Sequence, residues 1–90
     1  ADPDMEEAWN NRGVVLSALG RTEEALDCYN RTIEINPDHA NAWNNRGAAL
    51  YNLERYEEAA ESYDRALAIN PGFADAKRNR AAALRRMNKG

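Results

Sequence analysis

The sequence predicts an all-α fold, five helices stacked in antiparallel pairs as a solenoid, and three observations carry that expectation. The hexamer AWNNRG stands at residues 8–13 and returns at 42–47, 34 positions later. Inside each 34-residue unit, apolar residues recur at spacings of three and four, the period of one helix face. Each unit closes on the same pair, Asn36-Pro37 and Asn70-Pro71, and a residue before proline is biased out of the helical region.

The elements follow in order. The first unit spans about residues 6–39, the second about 40–73, and a final single helix about 74–90, all within one domain. Trp9, Gly13, Leu16 and Leu19 form the stripe of the first helix, with Asp4 and Glu7 as its N-terminal signal. The pattern breaks at Gly20-Arg21-Thr22, where Thr22 is expected to cap a second helix whose apolar face is Ala25, Leu26, Tyr29 and Ile33. Asp38 is expected to cap the third helix. The second unit repeats the scheme through Trp43, Gly47, Leu50, Leu53, Ala59, Tyr63 and Ile69. Short loops between amphipathic helices make neighbours antiparallel. Small residues (Gly13, Ala25) let the paired helices approach, with Trp9 and Tyr29 as bulk beside them. No unit can cover its own apolar face, so each must stack on the next.

These residues resemble the tetratricopeptide repeat family, whose 34-residue helix–turn–helix unit spaces Trp, Gly, Leu, Ala, Tyr or Phe, Ala and Pro. The first unit matches at Trp9, Gly13, Leu16, Ala25, Tyr29 and Pro37 and departs at Thr32, where the pattern has Ala. The second matches at Trp43, Gly47, Leu50, Ala59, Tyr63, Ala66 and Pro71. The final helix has Lys77 in place of Trp and Ala81 in place of Gly, which suits a capping helix with one wet face. A longer array fits as well, since Met87-Asn88-Lys89 imitates Leu19-Gly20-Arg21 and Asp2-Pro3-Asp4 mirrors Asn36-Pro37-Asp38. The resemblance implies a right-handed superhelix and a protein-interaction module. Helical repeats of period 35 that read RNA do not match this spacing.

Composition narrows the function classes. The chain opens on Ala1, with its first methionine at Met5, and reads as an excised or processed segment. There is no apolar run of membrane-spanning length. Cys28 is the single cysteine, which excludes an internal disulfide and fits an intracellular, cytoplasmic protein. The net charge of −3 conceals a gradient, from −6 over residues 1–39 through −2 over 40–73 to +5 over 74–90. The basic last helix lacks interleaved aromatics and the chain is acidic overall, so nucleic acid is not the expected partner.

No catalytic constellation stands out. Glu23-Glu24 and Glu57-Glu58 are neighbours that diverge by about 100° on a helix and suit the positive end of the helix dipole. Cys28 reads as a small packed or surface residue, and His39, in the inter-repeat loop opposite Phe73, as a bystander. The sequence implies no enzyme, cofactor or metal.

The binding expectation rests on asparagine. An asparagine within a helix costs roughly 0.5 kcal/mol against alanine, so pairs of them ask for a reason. The family's ligands lie in the groove lined by first helices. By position that groove takes Glu7, Asn10, Asn11, Val14, Ser17 and Ala18, then Asn41, Asn44, Asn45, Ala48, Tyr51 and Asn52. Asp75, Arg78, Asn79, Ala82, Arg85 and Arg86 complete it. Asn11, Asn45 and Asn79 repeat at 34 and 34, and occupy the place of the asparagine ladder seen in superhelical family members. A side-chain amide carries donor and acceptor together and can satisfy an extended peptide's backbone. Rungs roughly 10 Å apart would serve about every third residue of a strand rising 3.3 Å per residue. The alternative role is structural, with the amides bonded to one another across the stack. The expected peptide site is Asn10, Asn11, Asn44, Asn45, Tyr51, Asn52, Arg78, Asn79 and Arg85. The family's clamp for chaperone C-termini would fall on Asn10, Val14, Asn45, Asp75 and Asn79. Only Asn45 fits, so a chaperone-tail role is not implied. A scaffold segment, open to head-to-tail self-association through its opposite charged ends, is the second expectation.

Overall fold

The computed structural model describes residues 3–89 as five helices: α1 (Pro3–Ala18), α2 (Thr22–Ile35), α3 (Ala40–Asn52), α4 (Tyr56–Ile69) and α5 (Ala74–Lys89). Each helix packs on the next. In addition, α1 touches α3 and α3 touches α5, while α2 and α4 stay apart. The first helices of the units therefore crowd together on the inside of the curve and the second helices splay on the outside. This puts α1, α3 and α5 along one groove.

The pairing within a unit is set by glycine. A Cβ built on Gly47 would lie 2.5 Å from the Tyr63 ring, and one on Gly13 would lie 2.5 Å from the Tyr29 ring. Both tyrosines are buried, at 2% and 3% exposure. Around them the core is mostly alanine, with Ala25, Ala59, Ala66 and Ala83 sealed from solvent beside Leu16, Leu26 and Leu50. Small side chains on facing helices are what allow so close an approach.

The loops repeat as faithfully as the helices. Gly20 turns the chain out of α1 with φ +79°, and the Arg21 N–H returns to the Leu16 carbonyl at 2.9 Å. Glu54 makes the same turn with φ 62°, at a cost of about 1–2 kcal/mol that glycine would not incur. Between units, the Asn36 side chain accepts from the Asp38 N–H at 3.0 Å, and the Asn70 side chain from the Gly72 N–H at 3.3 Å.

Four local expectations are corrected. Helix α1 begins at Pro3, ahead of Asp4, whose side chain lies outside the described residues. Thr22 does not cap α2: Arg21 holds the cap position with no side-chain bond, and ion-pairs with Glu24 across the first turn. Its counterpart, Tyr56, could not cap at all. Asp38 yields the cap of α3 to His39, whose ring accepts from the Ala42 N–H at 3.0 Å. Leu19 is 65% exposed because it continues the face of α1 that no described helix covers, whereas its counterpart Leu53 rests on the core. The departure at Thr32 is explained by packing: this residue is fully buried and its hydroxyl donates to the Cys28 carbonyl at 3.2 Å and the Glu6 carbonyl at 3.3 Å. Thr32 thus ties α2 to α1.

Gly47→Ala tests the close approach. The added methyl meets the buried Tyr63 ring, and a loss of about 1–3 kcal/mol in unfolding free energy is expected by urea titration. Gly72→Ala, where only the Asn70 side chain lies near, at 3.8 Å, serves as the control and should change little.

Candidate functional site

Where the units meet, polar side chains join the small-residue packing, and one of them also reaches across its own unit. Arg46 on α3 reaches Asn30 on α2 at 2.8 Å and Ser62 on α4 at 2.7 Å. Its guanidinium also lies 5.6 Å from the Trp43 ring centre, with Arg65 at 5.2 Å. Burial lowers the Arg46 pKa. Arg80, one unit on, bonds to Asp64, the counterpart of Asn30. Trp43 closes the loop from below, donating from Nε1 to the Pro37 carbonyl at 2.7 Å.

The asparagines form part of the same joint. Asn45 donates through Nδ2 to Asn10 at 3.2 Å, and Asn79 to Asn44 at 3.3 Å. The second asparagine of one hexamer thus reaches the first asparagine of the previous one. Asn10 is buried, at 7% exposure, with its Oδ1 committed to this contact. Asn45 and Asn79 are half-buried, and each retains its Oδ1 and a second N–H. Asn11 is exposed with its amide free among the described residues.

Tyr51 and Asn79 meet Ala48, Ala82, Asn52 and Tyr63 around a hollow of about 250 Å³ between α3 and α5. Three expected site residues (Tyr51, Asn52, Asn79) therefore converge. Arg85 is exposed on α5, and Arg78 pairs with Asp75 at 2.6 Å at the groove's end. Arg86 turns away to the Tyr56 hydroxyl at 2.8 Å and stacks over that ring, which sits edge-on to Tyr51. Tyr63 was legible only as bulk. Burial pushes its pKa up to about 12, with a smaller contribution from Tyr51.

His39 is no bystander. Its Nδ1 accepts from the Ala42 N–H, which leaves the ring proton on Nε2, 2.8 Å from Glu7 Oε1. Glu6 Oε1 lies 3.6 Å from the same nitrogen and is held by the Asn36 amide at 2.7 Å. One His and two Glu within 4.8 Å could suggest a metal centre. A metal on Nε2 would push the proton to Nδ1, where it would face the Ala42 donor. The cluster is built as a helix cap and a hydrogen bond joining α1 to the inter-unit loop. Cys28 is buried and free, and burial raises its pKa, so its thiolate is disfavoured. Among the described residues no helix is long and apolar enough to cross a membrane.

The unfolded chain ionises its tyrosines near pH 10, while folded Tyr63 keeps its proton to about 12. Stability should be level up to pH 10 and fall as pH rises through 12, because the unfolded state sheds the proton first. Absorbance titration should find Tyr63 ionising late, and Tyr63→Phe should remove that part of the alkaline loss.

A search of curated proteins found no match. The solved structures offer close likenesses of fold. The first TPR of Spaghetti (RPAP3) bound to the HSP90 peptide SRMEEVD has a TM-score of 0.93 at 25% identity, covering 99% of this chain and 72% of that one. The second TPR of Spaghetti, bound to the same peptide, gives 0.92 at 26% identity over 94% and 79%. The TPR2AB domain of yeast Sti1 in complex with an HSP90 peptide gives 0.95 at 25% identity, covering 99% of this chain and 34% of that one. The family model for the tetratricopeptide repeat matches residues 1–37 and 10–74. With the 34-residue unit, the Gly–Tyr joint and the stacked helix pairs, this chain belongs to the tetratricopeptide repeat family.

Proposed function

We propose that this chain is a non-catalytic interaction module that receives an extended segment of a partner protein along the α1–α3–α5 groove. The observation that carries the reading is the row Asn11, Asn45 and Asn79, whose amides keep free hydrogen-bonding capacity on the groove side after the stack has taken its share. The peptide-bound neighbours support a peptide as the ligand. The clamp positions support a different ligand from theirs: Val14 and Asp75 supply no cation, and a terminal carboxylate would meet neutral amides. Arg85 and Arg78 favour acidic residues toward the α5 end. Glu7, hydrogen-bonded to His39, keeps its charge and favours basic residues toward the α1 end.

Asn11→Ala, Asn45→Ala and Asn79→Ala together should weaken binding of an extended peptide by about tenfold or more, each lost contact being worth roughly 0.5–1.5 kcal/mol. Helicity by circular dichroism should persist. Amide NMR against a mixed acidic and basic peptide library provides the readout, and unchanged affinity in the triple variant refutes the ladder.

A scaffold reading is favoured by one specific observation. The face of α3 and its flanking residues turned to the preceding unit is His39, Ala42, Arg46, Ala49 and Leu53. Its counterpart on α1 is Met5, Ala8, Arg12, Val15 and Leu19, with Met5 52%, Val15 59% and Leu19 65% exposed. This face suits a helix of α2 or α4 character, carrying an acid or amide opposite Arg12. If it joins copies of the chain, Val15→Glu should abolish association seen by sedimentation at low salt. A parent chain that stays monomeric at high concentration removes that joint.

A further inference from the structure

We infer that the hollow between α3 and α5 is a side-chain subsite for a hydroxyl-bearing residue of the bound peptide, threonine foremost. The inference rests on the groove reading above and gives it a sequence preference.

Tyr63 is 2% exposed, and its hydroxyl makes no hydrogen bond among the described residues. No unpaired polar side-chain atom there is sealed from solvent, so the hydroxyl must be the part that reaches the surface. It does so in the hollow that Tyr63 lines. A buried ring with an open, unpartnered hydroxyl at its tip is a polar floor under a recess. The geometry follows from the Gly47 contact, since with no Cβ on α3 the Tyr63 ring can pass alongside that helix toward the groove.

The remaining lining sets the chemistry. Asn79 spends Nδ2 on Asn44 and keeps Oδ1 as an acceptor. Ala48 and Ala82 are small and apolar, Tyr51 supplies a ring, and Asn52 an amide. No ionised group lines the hollow, so a carboxylate or ammonium entering it would lose water and gain no counter-charge. A purely aliphatic side chain would cover the Tyr63 hydroxyl and the Asn79 oxygen without replacing their water. Threonine meets both demands. Its hydroxyl can donate to Asn79 Oδ1 and accept from the Tyr63 O–H, while its methyl rests on Ala48 and Ala82. Serine lacks the methyl. The matching recess of the first unit carries Val14, Ser17 and Ala18 at the positions of Ala48, Tyr51 and Asn52, and so lacks the aromatic wall.

The test is a panel of capped nine-residue peptides of Gly and Ala, with two glutamates placed toward Arg78 and Arg85 and one guest residue: Thr, Ser, Val, Ala or Asp. Affinity is read by amide NMR titration of the full chain. The Thr peptide should bind about five- to tenfold tighter than its Val isostere, with Ser between them and Asp weakest, as one neutral hydrogen-bonded pair allows. Tyr63→Phe keeps the ring against Gly47 and should erase the Thr-over-Val preference while leaving Asn11 and Asn45 responsive. Ala82→Leu, which fills the recess from its half-exposed wall, should do the same if the Phe variant packs poorly. Equal Thr and Val affinities, with shifts still gathered on Asn11 and Asn45, overturn the subsite and leave the groove standing. No shifts with any guest overturn both.

Discussion

The contact between a glycine on one helix and a tyrosine ring on its partner is the constraint from which the rest of this structure follows. At 2.5 Å from an imagined Cβ, the Tyr63 ring occupies the volume any other residue at position 47 would need. The pair fixes how near α3 and α4 lie, and therefore which residues of α3 are left to face the neighbouring units. Tyr29 and Gly13 do the same one unit earlier. The last helix has Ala81 in that place and no tyrosine to receive; there the exposed face carries Lys77, Arg85 and Asn88.

Between units the logic changes from shape to polarity. Arg46, with Asn30 on one side and Ser62 on the other, spans three helices through a single side chain. The asparagine pairs cross from α1 to α3 and from α3 to α5. Such bonds contribute modest net stability, about 0.5–1.5 kcal/mol each, but are costly to leave half-made in a buried joint. They select one register of stacking over its neighbours. Apolar packing alone, over alanines nearly equal in size, would discriminate poorly between registers.

Much of this was legible because the chain writes its pattern twice. The period, the five helices and the asparagine pairs of the first helices all follow from residues that recur 34 positions apart. What escaped the sequence lies in contacts between different units or between a side chain and a remote backbone. Thr22 and Asp38 have good capping chemistry, yet the helix starts are set by an Arg21–Glu24 pair and by a histidine ring anchored to Glu7, 32 residues away. Thr32 looked like a defect in the pattern and is a tie to the Glu6 carbonyl. The partner choice among asparagines was equally hidden. Adjacent residues on a helix point about 100° apart, so which of Asn10 and Asn11 faces the next unit depends on the stacking rotation. The same holds for Tyr63: its bulk is visible in the repeat, but the destination of its hydroxyl depends on α5.

The double duty of the amides bears on what this groove can recognise. A side chain that holds two units together cannot also be optimised freely for a ligand, since moving it loosens the stack. Asn45 and Asn79 are in that position, each with one N–H committed and an oxygen left over. Their free valences are fixed in place before any peptide arrives, which lowers the ordering cost of binding. They are also neutral, and Asn45, outside the hollow, is suited to backbone rather than to any one side chain. Discrimination must then come from places the stack does not need, and the hollow above Tyr63 is such a place. Its hydroxyl supports no joint among the described residues, and its neighbours Ala48 and Ala82 line the same hollow. On the proposed reading, affinity is spread along the ladder, while choice of partner is left to the gaps between the rungs.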